Sequence, residues 1–126
     1  MSTYMNVFVK TDTGVREFAL EFNHILGKRL AHRQMDAGDV YETDMLGTRV
    51  AVFCHAGLED DTGNNMNFTQ YRIQIDIGPA TSGQAHDTLA QAMSIYLASE
   101  ISAKLRWSTM VTDGLRKLVR TFDADG

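Results

Sequence analysis

The chain has 126 residues, a formal charge of −4 and 44% apolar residues. That composition excludes a disordered acidic tail and fits one α+β domain, residues 1–126, large enough to fold without metal or disulfide. A single cysteine, Cys54, excludes an internal disulfide and fits a reducing compartment.

Residues 4–10 alternate as a strand, with Val7 and Val9 on one side and Asn6 and Phe8 on the other. Asp12-Thr13-Gly14 breaks the strand and offers a helix start. From residue 15 to about residue 33, Val15, Phe18, Ala19, Phe22, Ile25, Leu26 and Leu30 keep helical spacing and predict one long amphipathic helix. Residues 38–45 predict a second strand and residues 48–55 a third, with a tight turn at Gly47. Val50, Val52 and Cys54 share one face of the third strand, and Cys54 is expected as a small core residue.

A polar loop over residues 57–67 follows, then the clearest alternation in the chain, at residues 68–77. Tyr71, Ile73 and Ile75 are expected there on the helix-covered face. Thr81-Ser82-Gly83-Gln84 matches a capping box and predicts a second long helix running to about residue 106. Residues 107–112 predict a strand. Leu115, Leu118, Val119 and Phe122 suit a short closing helix, with an extended ending as the alternative. The predicted order is β-α-β-β-β-α-β with a short C-terminal helix. Two long helices on one face of a mostly antiparallel sheet satisfy it.

Charge is uneven along the chain. Asp36, Asp39, Glu42, Asp44, Glu59, Asp60 and Asp61 fall in one segment whose only Lys or Arg is Arg49, a local charge of −6. Such a segment repels phosphate backbones, so nucleic acid is not expected as a partner, whereas a basic protein would be attracted. A solvated surface that serves solubility is the plainer reading of the same acids. No signal-like start and no membrane-length apolar run occur, so a cytoplasmic location without membrane contact is expected.

The residues offer no catalytic constellation, metal set or cofactor motif. Asp-Thr-Gly occurs at Asp12 and again at Asp61, but neither copy follows an apolar strand as an aspartic protease loop does. Helix capping accounts for the first and a turn for the second. His24, His32, His55 and His86 make no metal-ligand spacing, and adjacent Cys54 and His55 point to opposite faces of a strand. The loop at residues 60–67 lacks the alternating carboxylates of a calcium loop.

An apolar strand ending in His55 leads into Gly57-Leu58-Glu59-Asp60-Asp61, then Phe68-Thr69-Gln70-Tyr71. A long helix and Trp107, Met110-Val111-Thr112-Asp113, Leu115 and Leu118-Val119 close the chain. This layout is similar to small bacterial immunity proteins of contact-dependent growth inhibition and related polymorphic toxin systems. The resemblance implies an antitoxin, not an enzyme, that binds a cognate toxin protein, basic nucleases being one such class.

The candidate contact residues are the seven acids with Tyr41, Met45, Leu58 and Met66 as apolar anchors. Asp36, Asp39, Glu59, Asp60 and Asp61 are expected to form the densest acidic surface. A monomer or weak homodimer is expected. The competing readings are an acidic secretion chaperone, which must be a dimer, and a small enzyme with a cleft built from His55, Asp76, His86 or Asp87.

Overall fold

The computed structural model describes residues 4–36, 38–54, 59–79 and 87–124. Its strands are β1 (Met5–Lys10), β2 (Ala31–Met35), β3 (Gly38–Met45), β4 (Thr48–Cys54), β5 (Ile73–Pro79), β6 (Ser108–Asp113) and β7 (Lys117–Phe122), with helices α1 (Val15–Leu26) and α2 (Asp87–Glu100). All seven strands form one antiparallel sheet in the order β2-β3-β4-β5-β1-β6-β7. The N-terminal strand therefore lies inside the sheet, between β5 and β6.

Register assigns the faces. Val7 sits opposite Ile75 and Val111, and Val50 opposite Ile77. These residues are fully buried in one cluster with Phe18 and Phe22 of α1 and Leu97 and Ala98 of α2. Both helices thus cover the same face, as the alternation of β1 and β5 requires. The other face carries a second cluster of Phe8, Met110, Met66, Phe68 and Tyr71, with the Phe8 and Phe68 rings 4.9 Å apart.

The α+β class and the antiparallel sheet agree with the sequence; the element order does not. The first helix ends at Leu26, where Gly27 takes φ 67° and donates its N–H to Asn23 O at 2.9 Å. Asn23 Oδ1 then accepts the Leu30 N–H at 3.0 Å, so one side chain closes the helix and steers the chain out of it. Residues 31–35 are a strand rather than the last turn of that helix.

The alternation of residues 68–77 also covers two elements. Phe68–Gln70 is a 3-10 turn, and Tyr71 packs on the face away from the helices, while Ile73 and Ile75 do lie beneath them. The ending is extended: β7 replaces the closing helix, after a turn in which Gly114 and Leu115 have φ of 61° and 65°. Of two long helices only the second is long. It continues past its 14 α-helical residues into a π turn, Ile101–Leu105, whereas α1 has 12 residues. Within that turn Ser102 Oγ donates to Trp107 O at 2.8 Å and lies 3.1 Å from Thr109 Oγ1, tying the helix end to β6. The capping box at residues 81–84 lies outside the described residues.

Candidate functional site

The sheet ends in a hairpin that the helices cover only in part. All five residues of β2 are exposed, and β3 is exposed or half-buried along its length. Helix α1 covers β4 and reaches β3, where Tyr41 and Met45 pack against the main core. Beyond that the β2–β3 pair projects as a wing.

The wing is charged but internally paired. His32 Nε2 and Asp39 Oδ1 are 2.9 Å apart, Arg33 and Glu42 make a 3.0 Å ion pair, and Arg49 meets Asp44 at 3.0 Å. Hydrogen bonding from Arg49 holds the Asp44 carboxyl below its ordinary value. Lys28 Nζ donates to the Asp44 carbonyl. The −6 counted along the chain is thus offset in part, because Arg33 precedes the counted segment in sequence but faces Glu42 across β2 and β3. Tyr41 stacks on His32 with ring centroids 4.8 Å apart.

At the free end of the β3–β4 hairpin, Leu46 and Gly47 have φ of 53° and 77°. Two successive positive values suit a two-residue hairpin turn, a conformation that favours Asn or Gly at both places. Leucine occupies the first of them with 73% of its surface exposed. Thr48 Oγ1 donates to Met45 O at 2.6 Å and fixes the turn from below.

The structure brings Asp39, Tyr41, Glu42, Asp44 and Met45 together on β3, with Asp36 exposed in the turn after β2. The loop acids hang elsewhere. Asp60 Oδ1 accepts the Thr69 N–H at 2.8 Å and the Thr69 hydroxyl at 2.9 Å. Asp61 forms a backbone bridge with Met66. That loop is anchored over Phe8 and Met110 of β1 and β6, three and four strand positions from β3. Glu59 is exposed. Met66 is 1% exposed and belongs to the second cluster, which removes it from the surface. Cys54, expected in the core, is exposed at the end of β4. Leu58, His55 and His86 lie outside the described residues, as does the side chain of Asp87.

Of the cleft residues considered for an enzyme, Asp76 alone has described surroundings. It sits mid-sheet on the face away from the helices. Burial pushes its carboxyl up from the ordinary range, opposed by hydrogen bonds from Gln74 and Asn6. Asn6 Nδ2 and Gln74 Nε2 donate to the same oxygen at 2.7 and 2.8 Å. Asn6 Oδ1 in turn accepts from Thr112 Oγ1 at 3.2 Å and from the Leu115 N–H at 3.1 Å. Amides orient a carboxylate but relay no proton, so this network reads as a structural tie from β5 through β1 to β6.

Among the described residues no group of His, Cys, Asp and Glu is placed to hold a metal ion, and no helix is long and apolar enough to cross a membrane. Sequence reasoning missed Leu46, His32 and Arg33. The first had a visible signal, an apolar residue beside Gly47 between two strands; the other two were read into a helix. Comparison with protein-family models, curated proteins and solved structures finds no match for this chain.

Proposed function

We propose that this chain neutralises a cognate toxin protein by binding it, with the β3–β4 hairpin and its flanking acids as the contact surface. The observation that carries the reading is Leu46. A large apolar side chain stands exposed at a hairpin tip, in a backbone conformation that costs a branched residue about 1–3 kcal/mol and that Asn or Gly would adopt more readily. Stability does not explain that choice, whereas an apolar anchor for a partner does. Asp44 stands two residues from it, and its ion pair with Arg49 is exposed, worth little, and open to exchange for a cation of a basic partner, while Glu42 lies further along the same strand, half-buried and paired with Arg33.

The reading is tested with the chain as bait in an extract of its native host, using the parent sequence and Leu46→Asn. The parent should capture a protein carrying a toxin domain, and Leu46→Asn should recover about tenfold less of it. The variant should nonetheless melt no lower than the parent, with a gain of about 0.5–1 kcal/mol from the relieved turn. Equal recovery by both baits, or capture of no such protein by the parent, would sink the proposal.

A further inference from the structure

Between α1 and the wing lies an open groove of about 700 Å³. Arg16 and Arg29 line it, with Leu20, His32, Tyr41 and Asp39. Its charge is one-sided. Asp39, the one carboxylate among the lining residues, is already engaged by His32. Arg16 and Arg29 make no ion pair with any described residue. The acids of α1 look elsewhere: Glu17 and Glu21 line a separate groove with Lys104 and Trp107. Arg16 of α1 and Arg29 of the segment after it thus face the wing, while the acids of α1 face the π turn.

The groove borders an uncapped sheet edge. Strand β2 has β3 on one side and, among the described residues, no strand on the other, and its pairing with β3 runs in unbroken register from Ala31 to Met35. It contains no proline and no bulge, the usual devices that blunt an edge. The opposite edge is managed differently. Strand β7 packs Val119 and Phe122 into one cluster and Leu118 into the other, and a register shift lies between Val111 and Thr112 of its neighbour.

We propose that this groove and edge form one site for an extended acidic peptide segment of a partner. The segment pairs with β2 as an eighth strand. Every second side chain then points toward the helix-covered side, where His32 and Gln34 of β2 also point, and carboxylates at those positions reach Arg16 and Arg29. Charge complementarity selects the occupant: two unpaired guanidinium groups favour carboxylates, which they bind in bidentate fashion. A second copy of this chain fits poorly, because the antiparallel pairing of β2 with itself that keeps most of the strand paired, centred on its middle residue, sets Arg33 against Arg33. The site goes beyond the toxin-binding reading and does not depend on it, since it lies on the helix side of the wing and uses neither Leu46 nor Asp44.

The test uses three peptides about ten residues long, alternating threonine with glutamate, glutamine or lysine, titrated into the full chain and followed by amide NMR shifts and hydrogen exchange. The glutamate peptide should bind about tenfold more tightly than the glutamine peptide, and the lysine peptide should not bind. Amides of Ala31–Met35 should become protected in the complex. Arg16→Gln with Arg29→Gln should erase the preference for glutamate without changing the melting temperature, and each single variant should erase part of it. Equal binding of the glutamate and glutamine peptides, or a preference that survives the double variant, would overturn the proposal. So would shifts at the arginines without protection of β2, which would leave a site for small anions only. Protection of β2 that rises with protein concentration in the absence of peptide would assign the edge to a second copy instead.

Discussion

The centre of this sheet and its β2 end are built on opposite terms. At β5, β1 and β6 both faces are covered: Val7 and Ile75 lie under the helices, while Phe8 and Met110 lie under the loop that carries Met66 and Phe68. At β2 and the start of β3 neither face is covered, and the strands are held by their backbone ladder, the His32–Asp39 contact and the Arg33–Glu42 ion pair. Removing apolar surface from water is the dominant favourable term in folding, and exposed ion pairs add little to it. The centre therefore holds the fold, while the wing is carried by it and is free to vary in sequence and to meet other molecules.

The sharpest way to break that contrast is a charge in the centre. Ile73 is fully buried beneath the helices, and Ile73→Asp should cost more than about 4 kcal/mol, by lost apolar burial and a carboxylate left unpaired. Circular dichroism and thermal melting check it, and a native-like variant would mean that β5 is misplaced.

A smaller effect sits at Asp76. Its folded carboxyl titrates above the unfolded value, so the folded state holds the proton more tightly. Its contribution to stability is fully present below the unfolded value and is lost as pH rises through the raised folded one. Asp76→Asn keeps an oxygen for Asn6 and Gln74 to donate to, removes that pH dependence and leaves the variant at least as stable as the parent at neutral pH. Urea denaturation of both proteins across the acid range measures this, and parallel curves would refute it.

The smallest effect is expected in the wing. Glu42→Gln, which breaks the ion pair with Arg33, should change stability by less than about 1 kcal/mol. Amides of β2 should exchange faster than those of β1 in the free protein. A loss as large as that expected for a core substitution would show that the wing helps to hold the fold.

The same contrast sets what could be read in the sequence. Strands that send every second residue into the main core announce themselves, as β1, β4 and β5 do. Strand β2 has no buried face, so Ala31-His32-Arg33-Gln34-Met35 carries no alternation, and its first three residues read as the end of the helix before it. Gly27 is the available stop signal, outweighed by the apolar spacing that Leu30 continues beyond Leu26. Strand β7 was misread for the converse reason. It sends residues into both clusters, and Leu115, Leu118, Val119 and Phe122 then mimic a helix period; Asp113-Gly114 marked the turn instead. Of the candidate contact residues, those on β3 were legible as a charged strand. Their partners were not, because ion pairs across strands join residues that a count along the chain keeps apart.

The place of β1 also orders events in time. Its residues are made early, yet Val7 pairs with Ile75 on one side and Val111 on the other, both far along the chain. The β3–β4 hairpin, closed by two residues, needs no such delay and can form while the rest is still being synthesised. Val7, Phe8 and Val9 must meanwhile wait without strand partners, as three consecutive apolar side chains in a segment of high strand propensity. Growing chains of this protein therefore pass through an interval in which their stickiest segment is bare. That interval closes when synthesis has passed residue 113 and β6 is available to pair.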